Sequence, residues 1–187
     1  YQPSDAMCVQ AGFDTIEHGT YLTVEEARTM AAHGQTWVPT ICAFSYIADQ
    51  IKAGKRYSDS PGLDEYFFQA VEAYRQNFKT LYDTGVRVTC GTDQMMFNAP
   101  VCPVALEASC MVDFGITPLQ AIEAATKNGA DALRLGHCLG QIKEGYLADI
   151  LVVRGNPAND IEALYQVEAV YFEGELVHTT LSATADS

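Results

Sequence analysis

Three short apolar runs, each followed by a helix pattern, constrain this chain more than any other feature. They are "FDTIEH" (13–18), "TWVPTI" (36–41) and "VRVTCGTD" (86–93). β-branched and aromatic residues in runs this short read as strands. After the first comes "TVEEARTMAAHG", an amphipathic helix with Thr23 as N-cap, Glu26 completing a capping box and Gly34 ending it. After the second comes "GLDEYFFQAVEAYRQNFKTLYDTG", where Phe67, Val71, Tyr74, Phe78 and Leu81 recur at helical spacing and Gly85 stops the run. Strands alternating with helices predict parallel strands joined by crossovers.

Smaller signals fill in the rest. Residues 4–11 fit a short helix capped by Ser4 and closed by Gly12. The stretch from Cys42 to Pro61 is expected to be a long irregular loop with at most a short helix. "PVALEASCMVDFG" precedes a further helix capped by Thr117, with Pro118 at its first position. After Gly140 the rhythm changes. "GYLADILVV", "VEAVYFEG" and "ELVHTT" are short strands with tight turns and no long helix between them, which predicts a separate β layer.

Composition narrows the classes of function. The chain has 187 residues, 48% hydrophobic and 19% charged, a globular balance. Its net charge of −13 repels phosphate backbones, so no nucleic-acid partner is expected. No run is long and apolar enough for a transmembrane helix. The six cysteines, Cys8, Cys42, Cys90, Cys102, Cys110 and Cys138, form no C-x-x-C pair and lie in apolar runs. Buried free thiols favour a reducing, cytoplasmic compartment, and nothing else in the chain bears on localisation. The opening "YQPSDAMCVQAGFDTIEHG" carries neither an initiator Met nor a signal peptide. It reads as mid-domain sequence, so the expectation is a fragment preceded by further chain.

Two strand ends carry residues with chemistry. His18 follows "DTIE" and precedes Gly19, and Asp93 follows Gly91-Thr92. Reactive side chains of parallel α/β barrels stand at the carboxyl ends of strands. Imidazole ligates zinc and similar ions, and a carboxylate can bind a metal, accept a proton from water or cap a helix. Each residue alone is equally an ordinary strand terminus. Two strand-helix steps separate them, however, which brings both ends to one mouth.

In this order, "GFDTIEHGTYLTVEEARTMAAHG", "WVPT", "GVRVTCGTD" and "GQIKEGYLADILVVRGNP" resemble the C-terminal half of the amidohydrolase superfamily, nearest its imidazolonepropionase-like and prolidase-like branch. The resemblance runs from about Ala11 to Val177. It implies the C-terminal part of a (β/α)8 TIM barrel over residues 1–139 and a partial β-sandwich tail over 140–187. It makes His18 the metal-binding histidine of strand six and Asp93 the strand-eight aspartate that binds metal and activates water. The cofactor implied is a divalent metal, zinc first, as one or two ions. The implied reaction is hydrolysis of a C–N bond in an amide, cyclic amide or dipeptide by metal-activated water. A non-catalytic scaffold, or an esterase or lactonase on the same site, are the alternatives.

The family's strand-one His-x-His, strand-four lysine and strand-five histidine have no counterpart here; Tyr1 would fall just after the last of these. His33, His137 and His178 read as structural or exposed, and Asp149 as a turn residue ahead of "ILVV". With only two of the ligands, the fragment alone should bind metal weakly and turn nothing over. Thr40 and Tyr46 are candidate contacts for a small-molecule or dipeptide substrate, and Met95 and Met96 of "QMMFNAP" for the pocket wall. Open strand edges suggest self-association, with a homo-oligomer as one form.

Overall fold

Trp37 explains the layout of the first sheet. It sits at the middle of strand β2 (Thr36–Val38), fully buried, and packs 5.5 Å from Phe78 and 6.4 Å from Tyr74 of the long helix α4 (Leu63–Tyr82). Strands β1 (Thr15–Glu17) and β3 (Arg87–Val88) flank β2 on either side, both parallel to it. Ile16 pairs with Trp37, and Trp37 with Val88. The parallel ladder runs on past the strand ends, through His18 N–H to Val38 O at 2.8 Å and Thr89 N–H to Trp37 O at 3.0 Å. This is a computed structural model, and it describes residues 2–55, 59–93 and 103–180.

Helix α1 (Gln2–Ala11) leads into β1, and α2 (Val24–His33) joins β1 to β2. The expected box at the start of α2 is present: Thr23 Oγ1 accepts from Glu26 N–H, and the Glu26 carboxylate accepts from Thr23 N–H. Gly34 ends the helix in the left-handed region at φ 71°. Helix α1 begins at Gln2, ahead of the expected cap Ser4, because proline is tolerated in a first turn and Pro3 need not stop it.

The larger difference lies after β2. The region expected to be a loop holds α3 (Ile41–Lys52), with Ile41, Cys42, Phe44 and Ala48 buried. Its start carries no local cap. Thr40 occupies the N-cap position at φ 53°, and its side chain caps nothing. The missing signal is supplied from elsewhere in the chain, as described below. The α4 face buries Phe67, Ala70, Tyr74, Phe78 and Leu81, with Val71 partly covered, as the spacing predicts.

Beyond β3 come α5 (Pro103–Asp113), α6 (Pro118–Ala125) and α7 (Lys127–Ala132), the last two parted at Thr126. They occupy the open side of β3. Ala124 O accepts from Cys90 N–H at 3.3 Å and from the Thr89 hydroxyl at 2.9 Å, while the Asn128 amide donates to Val88 O at 2.9 Å. Backbone groups that a further strand would satisfy are met by helix groups instead.

The tail forms an antiparallel sheet in the order β4 (Ile150–Val153), β5 (Val167–Phe172), β6 (Glu175–Thr179). The β5–β6 hairpin turns at Glu173-Gly174, both at positive φ (50° and 87°), as a primed turn requires. Asp149 is structural there: its carboxylate accepts from Glu173 N–H at 2.8 Å. It therefore braces the hairpin turn across the sheet rather than the turn beside it. A 3-10 turn at Ile161–Tyr165 joins the tail to the rest, with Ile161 in the common core and the Ser109 hydroxyl of α5 donating to the Glu162 carboxylate.

Candidate functional site

The carboxyl ends of β1, β2 and β3 share an unusual backbone. His18, Thr40 and Asp93 all have positive φ, at 59°, 53° and 44°. Side-chain-bearing residues rarely adopt this region, and it persists only where surroundings hold it. At His18 those surroundings are visible. Its carbonyl accepts from Trp37 Nε1–H at 2.7 Å and lies 3.0 Å from the Tyr74 hydroxyl. The same hydroxyl is 2.8 Å from Pro39 O, with Thr20 Oγ1 3.0 Å away on its other side. Tyr74 thus ties the end of β1 to the end of β2, and its burial pushes the phenol up, so it stays protonated as a donor.

The His18 ring is held in turn. Its Nδ1 lies 2.5 Å from Thr40 Oγ1, and the Thr40 hydroxyl donates to Pro39 O at 2.6 Å. A hydroxyl has one proton to give. When the hydroxyl donates to Pro39 O, the His18 Nδ1–H is the donor to Thr40, and the lone pair sits on Nε2. Phe44 of α3 meets the ring edge-on at 5.6 Å. Nε2 faces Asp93 Oδ2 at 3.9 Å.

That gap is too long for a hydrogen bond. A tetrahedral ion would hold the two atoms about 3.4 Å apart, so a side-chain shift of about half an ångström would bring both onto one divalent ion. A neutral imidazole nitrogen and a carboxylate oxygen are donors that zinc accepts. Both side chains are half exposed, at 45% and 58%. Among the described residues no cluster of three or more His, Cys, Asp or Glu side chains forms.

Glycines let the three ends converge. A Cβ on Gly19 would stand 2.7 Å from Leu22 Cδ1 and 2.9 Å from Trp37 Nε1, and one on Gly91 would stand 2.3 Å from Val38 Cγ1. The small residue in "GTD" therefore permits the close approach of β3's extension to β2.

The residue that sequence patterns do not reveal is Glu107. It lies on α5, wholly buried, and its carboxylate accepts from Ile41 N–H at 3.0 Å and Cys42 N–H at 2.6 Å. It is the cap that α3 lacks locally. Burial raises its carboxyl to about 7 against the opposing pull of these hydrogen bonds. A lone glutamate in an apolar helix pattern, "VALEASCMV", was the available signal.

The other candidates fall apart from this cluster. Tyr46 lies on α3 rather than in a loop, and lines a groove between α3, α4 and α5 with Asp49, Lys52 and Arg75. Neither His18, Thr40 nor Asp93 borders that groove. His33, His137 and His178 are exposed. Cys42 and Cys110 are buried and form no disulfide among the described residues, and burial pushes the Cys110 thiol up to about 12. Tyr1, Met95, Met96 and Cys102 lie outside the described residues.

A family model described as "Amidohydrolase family" matches residues 4–177. This chain belongs to the amidohydrolase family. Among curated relatives, the ochratoxinase of Aspergillus niger is 31% identical over 166 residues, covering 87% of this amidohydrolase chain and 32% of the fungal protein. An imidazolonepropionase of Geobacillus kaustophilus is 32% identical over 89 residues, 46% of this chain and 20% of that protein. The crystal structure of a Xaa-Pro dipeptidase with bound methionine superimposes with a TM-score of 0.82 at 31% identity, covering 93% of this chain and 42% of that one. The α/β fold described here thus matches amidohydrolase structures over part of their length. The chain spans about a third of the length of the ochratoxinase. No helix among the described residues is long and apolar enough to cross a membrane.

Proposed function

We propose that the protein of which these residues form part is a metal-dependent hydrolase of C–N bonds in small amides, cyclic amides or dipeptides. The observation that carries this is the approach of His18 Nε2 to Asp93 Oδ2, 3.9 Å apart, with the His18 ring held at Nδ1 by Thr40. Membership of the amidohydrolase family and similarity to a Xaa-Pro dipeptidase and an ochratoxinase support it. Residues 1–139 form the barrel portion and 140–187 the β-sandwich tail.

His18 and Asp93 would hold the metal, zinc being the first ion to test. When bound, a divalent ion polarises the scissile carbonyl and acidifies a water. Asp93 accepts the proton of the attacking water on its carboxylate and returns it to the departing nitrogen. His18 keeps its Nε2 lone pair available when its Nδ1–H donates to Thr40 Oγ1. Thr40 is buried, with its hydroxyl engaged by His18 Nδ1 and Pro39 O, so its part is to hold the imidazole rather than to meet substrate. The substrate is a small molecule, for which a half-exposed site at the mouth of a barrel is suited.

Two variants of the intact protein test the assignment. Asp93→Asn is expected to lower kcat by at least about 100-fold with the fold unchanged by circular dichroism. His18→Ala is expected to reduce bound metal in elemental analysis. Full turnover in the first, or unchanged metal content in the second, sinks the role of that residue. Parallel assays on matched amide and ester substrates separate a C–N hydrolase from an esterase.

A further inference from the structure

We infer that Glu107 is a positioning residue that sets the orientation and tautomer of His18, acting through the first turn of α3. The inference rests on the site proposed above but uses different atoms. Four observations carry it. Glu107 is wholly buried and bonded to two consecutive backbone N–H groups, Ile41 and Cys42. Those groups follow Thr40 directly, and Thr40 lies in a left-handed conformation with no side-chain capping bond of its own. Thr40 Oγ1 receives His18 Nδ1 at 2.5 Å. Phe44, a turn further along α3, packs edge-on against the same ring at 5.6 Å.

Both contacts that orient the His18 ring therefore come from the start of α3, and that start is pinned by one carboxylate from α5. A positive φ at a β-branched residue is unfavourable and relaxes when what holds it is removed. Two N–H groups buried without an acceptor would also drive the first turn to rearrange. Either movement shifts Thr40 and releases the Nδ1 proton from its partner. The pinning extends to the third strand end as well, since the Cys42 thiol lies 3.6 Å from the carbonyl of Thr92, next to Asp93.

The test uses the intact protein and three variants. Glu107→Gln keeps the volume but replaces one acceptor oxygen with a donor. Thr40→Val removes the hydroxyl and leaves the buried acid untouched, while Thr40→Ser retains the hydroxyl. Imidazole 15N resonances of His18 in metal-free protein are expected to report one Nδ1–H tautomer in wild type and in T40S, and a tautomer mixture in E107Q and T40V. Zinc titrated into the apo protein is expected to bind about 10- to 100-fold more weakly in E107Q and T40V than in wild type and T40S. A folded E107Q with the wild-type tautomer and wild-type zinc affinity overturns the inference. If E107Q does not fold, T40V decides it: an unchanged tautomer there overturns it equally. Absence of zinc binding by wild type would overturn the metal assignment alone, and the tautomer comparison would still judge Glu107.

Discussion

At the scale of single residues, Glu107 gives the fold a predictable response to pH. Its carboxyl lies at about 7 in the folded chain against an ordinary 4.5, because burial outweighs the hydrogen bonds from the Cys42 backbone and side chain and the Ile41 backbone. The native state therefore binds more protons than the unfolded state between these values, and stability falls as pH rises through that window. The shift corresponds to a loss of the order of 3 kcal/mol. The titratable groups that feel its charge, Cys90, Cys110 and Tyr74, are all raised further still, so they stay neutral across the window and add no slope. Denaturant midpoints of metal-free protein from pH 4.5 to 7.5 should show this decline in wild type and not in E107Q. A second residue-scale prediction concerns Gly91. A methyl group there meets Val38 at 2.3 Å, so Gly91→Ala should cost about 1–3 kcal/mol and displace Asp93. Thermal unfolding measures the first effect and metal affinity the second.

At the scale of elements, helices differ in where their start signals come from. Helix α2 carries its own, so Thr23→Ala should cost about 1 kcal/mol by denaturant unfolding, and little else should change. Helix α4 is specified by its stripe, and Phe78 fills the space under Trp37, so Phe78→Ala should cost about 3–5 kcal/mol in the same measurement. Helix α3 runs longer than the short helix its local pattern allows because its cap sits on α5, far along the chain, and propensity in "AFSYIADQIK" competes with an unfavourable Thr40. Periodicity reports local order only. A helix started by a distant side chain leaves no local mark. The strands show the converse: "VRVTCGTD" reads as one long strand, but only Arg87 and Val88 pair as such, because α6 and α7 take the hydrogen bonds beyond them.

At the scale of the whole molecule, apolar surface remains uncovered. Phe172, Leu176 and Val177 on β5 and β6 are 58%, 52% and 59% exposed, and Leu151 on β4 is 49% exposed. Apolar side chains grouped on an open sheet are prone to pairing. Residues 1–187 expressed alone should therefore sediment with concentration-dependent association, and a single monomeric species at all concentrations would refute this. The sequence by itself determined the strand-helix alternation, the capping box of α2, the capping threonine of α6, the short strands of the tail and the candidates His18 and Asp93. Each of these depends on neighbours in the chain or on a motif carried by contiguous residues. Only the tertiary structure decided that α3 exists, that Tyr46 lies on that helix beside α4 and α5, and that Thr40 Oγ1 meets His18 Nδ1. It also decided that Glu107 holds that arrangement from beneath. Those outcomes rest on hydrogen bonds between residues remote in sequence, where geometry chooses the partner and residue type alone does not.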